Sequence, residues 1–134
     1  MTLATTGAQI VQAFMESIAY DTRNTLALMK DEGIGVERIR ITGGGARSAW
    51  WTQLKADVTN LPVEVVSQPE PGTLGAALLA GVAIGFYNDI EAISRALSGT
   101  SRVYEPDAAR ASQHHARMQT YHATVAALLQ TAYR

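Results

Sequence analysis

Residues Ile39-Arg40-Ile41-Thr42-Gly43-Gly44-Gly45-Ala46-Arg47-Ser48-Ala49-Trp50-Trp51 carry an alternating strand into three glycines and then into an amphipathic helix. Three residues without a Cβ permit a tight turn, positive φ and close approach of main-chain amides to a bound molecule. A helix beginning near Ser48 adds free N–H groups and partial positive charge beside that turn. The chemistry on offer is backbone capture of an anionic or hydrogen-bonding ligand. The same turn serves equally to let a helix pack closely on its sheet. Ser48 has two roles open to it, ligand contact or helix N-cap, and capping is the more common use. Two nucleotide motifs are excluded: Gly43-x-Gly45-x-x-Ser48 has serine where a dinucleotide fingerprint needs its third glycine, and no Gly-Lys-Ser or Gly-Lys-Thr occurs.

Other reactive side chains have weaker patterns. His114, His115 and His122 fall on one helical segment, but a metal-binding pair there needs spacing of about three or four residues. His115 and His122 are two turns apart, about 10 Å, with no carboxylate at a useful spacing, so packing or solvent-facing histidines are expected. Adjacent tryptophans diverge by about 100° on a helix, so at most one of Trp50 and Trp51 faces the turn and the other is expected in the core. Glu70 suits the N-terminus of the following helix, where the dipole favours an acid, with a ligand hydroxyl as its alternative partner. No catalytic residue and no metal ligand is assigned.

The elements that position these groups follow from periodicity and punctuation. Ile10, Phe14, Ile18, Thr25 and Leu28 recur at helical spacing over Ala8 to Met29, and Gly33 and Gly35 end that helix. Val36 to Thr42 reads as a strand with Ile39 and Ile41 on one side, Arg38 and Arg40 on the other. A helix follows from Ser48 to Thr59 through Trp50, Trp51, Leu54 and Val58, closed by Leu61-Pro62. Val63 to Val66 is a second strand, and Gln68 to Thr73 a turn-rich connection. Leu74 to Gly85 is apolar throughout. Twelve residues are too few to span a bilayer, and the Gly and Ala content suggests a buried helix packed closely on a neighbour. Asp89 caps a short helix bearing Ile90, Ile93 and Leu97. Arg102 to Pro106 reads as an extended link, and Asp107 caps a final helix to Ala132 carrying Met118, Tyr121, Val125 and Leu128 or Leu129.

The chain has 134 residues, about one domain, and a 47% hydrophobic composition sufficient for a core. Eleven basic and twelve acidic residues give a net charge of −1, which offers no footprint for nucleic acid or an anionic membrane. With no cysteine, disulfides and thiolate metal sites are excluded. Met1 to Gly7 lacks the basic start and apolar run of a secretion signal, and a cytoplasmic location is expected. Only two strands are evident beside four or five helices, which leaves a sheet edge unpaired. Self-association is therefore expected, seen as a mass that rises with concentration in light scattering.

A second glycine-containing segment, Glu70-Pro71-Gly72-Thr73-Leu74-Gly75-Ala76-Ala77-Leu78-Leu79-Ala80-Gly81, lies about 25 residues beyond the first. The order Gly-Gly-Gly-Ala-Arg-Ser, aromatic residues, Ala56-Asp57, Leu61-Pro62-Val63 and Thr-Leu-Gly-Ala-Ala-Leu-Leu-Ala resembles the C-terminal part of the FGGY carbohydrate kinases, most closely their xylulokinase branch. The resemblance covers nearly the whole chain. It implies an α/β fold: a partial actin-like ATPase (ribonuclease H-like) domain, helix-rich with a small mixed sheet. Residues 1–134 would form the C-terminal portion of that domain, with the upstream half of the enzyme absent.

The resemblance also implies transfer of the γ-phosphoryl group of ATP to a ketose hydroxyl, xylulose or a related pentulose, with ATP/ADP as nucleotide. Magnesium would be needed in the complete enzyme, held by ligands outside this chain. Gly43, Gly44, Gly45 and Ala46 would form the adenosine motif, with Ser48, Thr73 and Gly75 beside it. Beyond Thr73 and Gly75, close helix packing explains the second segment equally well. Phosphoryl transfer needs converging groups around the hydroxyl, the phosphates and the metal. The family's Asp-x-Gly-Thr phosphate loop does not occur here, and neither Asp57 nor Asp107 sits in a motif like its catalytic Asp. The chain alone is thus expected to be inactive, with the N-terminal kinase portion as its missing partner. Ala49 stands where the glycerol-kinase branch carries a nucleotide-contacting Asn, whereas Arg47 and Ser48 suit the xylulokinase branch. The competing reading is a noncatalytic scaffold or assembly module in which Gly43 to Gly45 serve only as a turn.

Overall fold

The structure, a computed structural model, describes residues 4–68 and 70–132. The readings made on Met1 to Leu3 and on Pro69 lie outside them. Nine elements follow in order: α1 (Gly7–Asp31), β1 (Ile39–Ile41), a 3₁₀ turn (Gly44–Arg47), α2 (Ala49–Thr59), β2 (Val63–Val66), α3 (Pro71–Ala83), α4 (Ile90–Leu97), β3 (Thr100–Tyr104) and α5 (Ala108–Ala132). The strands form one sheet in the order β1-β2-β3, with β1 parallel and β3 antiparallel to β2.

Local chemistry sets most boundaries. Thr6 caps α1 in a reciprocal pair with Gln9, the side chain of each accepting from the backbone N–H of the other. At its other end Gly33, at φ +80°, donates to Lys30 O at 3.0 Å, and Ile34 N donates to Met29 O at 2.8 Å. These are the two bonds of a Schellman stop, which requires a left-handed residue. Asp89 caps α4 through Ala92 N at 2.9 Å. Asp107 accepts from Arg110 N at 3.0 Å at the start of α5.

Helix α2 is the hub. It crosses between the parallel strands and packs against both α1 and α5. Trp51, Leu54, Ala56 and Val58 are all buried, and with Ala19, Tyr20 and Met118 they supply most of the core. The α5 residues buried, Ala111, His114 and Met118, recur at spacings of three and four. On the sheet face remote from this core, Glu64 is clamped by Arg38 Nη1 at 2.8 Å, Arg40 Nε at 3.4 Å and Thr100 Oγ1 at 3.2 Å.

The expected elements are corrected in several places. Strand β1 spans three residues rather than Val36 to Thr42, because its partner is four residues long and starts after Pro62. Ile39 N donates to Pro62 O at 2.9 Å, but proline has no N–H to extend the ladder. The segment read as an extended link is largely β3. Its sequence, Thr-Ser-Arg-Val-Tyr, has little apolar alternation, and what fixes it is β2's second edge, including a Ser101 Oγ bond to Val65 O at 3.1 Å. Helix α3 starts at Pro71 instead of Leu74, since the first helical position needs no N–H and accepts proline readily.

Two packing expectations also change. The α1 stripe of Ile10, Phe14, Ile18 and Leu28 is exposed, and the helix meets the core through Met15, Ala19 and Tyr20. Helix α3 is not a buried helix: Leu78 and Gly81 are covered, whereas Leu79 and Val82, and Ile84 and Phe86 just beyond its end, are exposed, as its principal helical contact is α4. Gly81 is required by close approach from its own trailing segment, because a Cβ there would lie 2.5 Å from Tyr87 Cδ2.

Candidate functional site

The glycine segment leaves the end of β1 at Thr42. Gly43 adopts φ 77° and ψ −164°, a region open essentially to glycine alone, and so turns the chain sharply out of the strand. The turn closes with Ala46 N donating to Gly43 O at 3.1 Å and Ser48 N to Gly45 O at 3.4 Å. As its first residues, Gly44 and Gly45 have no carbonyl within the turn to receive their amides. Ser48 caps α2, its hydroxyl accepting from Trp51 N at 3.3 Å, so the capping role is realised.

The three glycines differ in what lies beside them. A Cβ added at Gly43 or Gly44 would meet nothing within 4 Å, so both present open backbone, a cradle that a ligand can approach. A Cβ at Gly45 would lie 3.4 Å from Trp51 Nε1. Trp51, 8% exposed, therefore floors the turn while also filling the core. One tryptophan does both tasks expected of two. Trp50, 52% exposed, faces neither the turn nor the core, a correction that follows from α2 being buried on the Trp51 side. Lys55 Nζ lies 4.8 Å from the centre of the Trp51 ring system, and partial burial lowers its pKa.

Thr73 and Gly75 lie in the first turns of α3, where Thr73 is exposed and Gly75 half-buried with open space beside its Cα. The link between the glycine turn and α3 is an ion pair, Arg47 Nη2 to Glu70 Oε1 at 4.0 Å. Glu70 holds the N-cap position expected of it, yet its side chain makes no capping hydrogen bond. Gly43, Gly44, Gly45, Ala46 and Ser48 are thus gathered in one turn, and the start of α3 is joined to it through Arg47.

A cleft of about 240 Å³ lies elsewhere, among α1, α2 and α5, lined in part by Trp50, Gln53, Asp57, Arg110, His114 and Arg117. None of its lining residues belongs to the glycine turn or α3, and its charges are mutually paired. Asp57 binds Arg110 Nε at 2.7 Å and Arg117 binds Glu16 at 3.1 Å. Sequence reasoning passed over this network, whose signal was an acid at an otherwise apolar helix position.

The histidines tie α5 to α1, His114 as a buried packing group and His115 and His122 as exposed ones, within the packing or solvent-facing roles expected. His114 Nδ1 lies 3.3 Å from the Tyr20 hydroxyl, His115 Nδ1 is 3.0 Å from Arg23 Nη2, and His122 Nε2 is 2.9 Å from Asn24 Oδ1. Among the described residues no group of three or more His, Cys, Asp or Glu is arranged to hold a metal ion. Burial holds the His114 pKa below the usual imidazole value, with Glu16 and Asp57 opposing and Arg117 and Arg110 reinforcing the shift. The unfolded chain therefore binds the proton more readily. Stability from this group is complete above the unfolded pKa near 6.5 and is lost as pH falls through the lower folded value. Urea unfolding across pH 5 to 8 should show that acid-side loss, and His114→Gln should flatten it; an unchanged slope would remove the assignment.

A strand, a glycine turn with open backbone and a capped helix, followed by a parallel strand, form one unit on a small mixed sheet. Comparison with known proteins identifies its class. Residues 1–84 match the FGGY family of carbohydrate kinases, C-terminal domain, and the chain belongs to that family. Glycerol kinase 2 of Thermotoga maritima is 42% identical over 107 residues, covering 79% of this chain and 21% of the relative. The xylulose kinase of Rhodospirillum rubrum superposes with a TM-score of 0.83 at 28% identity, over 100% of this chain and 27% of that structure. The Plasmodium falciparum glycerol kinase solved with ADP gives 0.71 at 26% identity, over 90% and 25%.

The chain accordingly has part of the actin-like ATPase fold of the sugar kinases, helix-rich with a small mixed sheet, as expected. The chain spans about a fifth to a quarter of the length of these relatives. Their names include both glycerol and xylulose kinases, so the expected closeness to the xylulokinase branch is not singled out. No helix among the described residues is long and apolar enough to cross a membrane.

Proposed function

We propose that this chain is the adenine-nucleotide-binding portion of an ATP-dependent kinase that phosphorylates xylulose, a related pentulose or glycerol in the cytoplasm. The observation that carries the reading is the open backbone at Gly43 and Gly44, in a chain of the FGGY family. Gly43 to Ala46 and Ser48 receive the adenosine, and Thr73 and Gly75 flank it. The chain contributes binding and orientation only. The catalytic Asp, the phosphate loop and the ligands of magnesium belong to the N-terminal kinase portion, with residues 1–134 forming the C-terminal part of one domain. Support for a surface that awaits a partner comes from the outer edges of β1 and β3, unpaired among the described residues, and from exposed Val11, Phe14 and Leu28. Without the rest of the kinase, a second copy of this chain covers that surface.

The test is calorimetric titration of the folded chain with ADP, beside Gly44→Val. Gly44 is the informative position, because a side chain at Gly45 also presses on Trp51 whereas one at Gly44 meets only open space. Saturable binding by the parent chain and its loss in a variant of unchanged stability is the expected result. Absence of binding at millimolar ADP would support the scaffold reading instead.

A further inference from the structure

We propose that Arg47 and Glu70 form a charge latch across the mouth of the nucleotide site: Arg47 exchanges Glu70 for the phosphates of a nucleoside diphosphate, and Glu70 weakens binding by competing for it. The inference rests on the reading of Gly43 to Gly45 as that site. Arg47 is the last residue of the glycine turn and Glu70 the residue preceding α3, so their contact spans the gap between the two segments. At 4.0 Å, with side chains 76% and 72% exposed, the pair is open to water on both sides. Such pairs contribute little, and breaking one costs little.

Other cations of the chain are already held by partners. Arg38 and Arg40 are held by the shielded Glu64 carboxylate, Arg40 also donates to Ser98 O at 2.6 Å, and Lys55 lies over Trp51. Arg110 is bound to buried Asp57, and Arg117 to Glu16. Arg47 is the cation of the glycine turn itself, and its partner is an exposed acid that makes no capping bond with the helix it precedes. A diphosphate offers more charge than one carboxylate and accepts the guanidinium fork in two places, so the exchange favours the nucleotide. Glu70 then stands as an unpaired negative charge beside the phosphates.

ADP and uncharged adenosine, titrated into the chain, Arg47→Ala and Glu70→Gln, separate the possibilities. Both side chains are exposed, so the variants should keep the parent's circular dichroism and unfolding midpoint. Arg47→Ala should weaken ADP about fivefold and flatten its salt dependence, and Glu70→Gln should tighten ADP about two- to fivefold. Adenosine should bind all three alike. Equal ADP affinity in all three would overturn the latch while leaving the nucleotide site standing. Weaker binding of both ligands by Glu70→Gln would overturn it in favour of Glu70 as a ribose contact. If a folded parent chain bound neither ligand, the site and the latch would fall together.

Discussion

Asp57→Ala should cost the fold about 2–4 kcal/mol and loosen α5 first. Asp57 is 2% exposed and its carboxylate takes three donors: Arg110 Nε at 2.7 Å, Asp107 N at 2.8 Å and Gln53 Nε2 at 2.9 Å. The same Gln53 amide donates to Glu105 O at 2.8 Å, so the pair at i and i+4 on α2 holds the chain from Glu105 to Arg110. Removing the acceptor strands the Asp107 amide and leaves a cavity, although half-exposed Arg110 can turn to water and limit the loss. Asp57→Asn keeps the volume but turns one acceptor into a donor, and about 1–2 kcal/mol is expected. Urea denaturation gives the totals, and hydrogen exchange locates the change. A loss below about 1 kcal/mol for the alanine variant, or no faster exchange in the first turns of α5, would show that the helix docks by apolar contact alone.

Trp51→Ala should cost about 3–5 kcal/mol, a large share of the 5–15 kcal/mol typical of a domain. The indole belongs to the cluster of Ala19, Tyr20, Leu54, Val58 and Met118, and its Nε1 edge lies beneath Gly45. Trp51→Phe keeps most of the burial and gives up the part that reaches the turn. That variant should stay folded with a loss of about 1–2 kcal/mol, while amide exchange at Gly44 to Ala46 speeds up and ADP binding weakens. Turn exchange unchanged in Trp51→Phe would mean that the hydrogen bonds at Gly43 and Gly45 hold the turn without a floor. Where Asp57 couples α2 to α5, Trp51 couples the core to the backbone of the glycine turn.

Much of this molecule could be read where the signal is local. Gly33 forces a left-handed stop and Ser48, Asp89 and Asp107 accept amides three residues on, so these ends lie in short stretches of sequence. The glycine turn and its family resemblance are equally local. Pairing and facing were less accessible. Strand β3 exists because β2 has a second edge, and its own residues have no alternation to announce it. The stripe of α1 follows a good helical period, yet the helix buries the other side, because its neighbour α2 approaches at Ala19 and Tyr20. In the sequence Asp57 reads only as part of the family motif, and its structural role comes into view with Asp107 and Arg110, about fifty residues away.

By itself the sequence determined the order of the helices and of the two strands that flank α2, the caps at Ser48, Asp89 and Asp107, and the family, since each depends on side chains within a few residues or on a contiguous motif. Tertiary structure alone decided that the sheet has three strands, that one tryptophan serves both core and turn, and that Arg47 spans to Glu70. Those outcomes depend on which surfaces meet after the chain returns on itself. Contact between residues distant in sequence is settled by packing volume and donor–acceptor pairing in three dimensions, which local propensity does not encode.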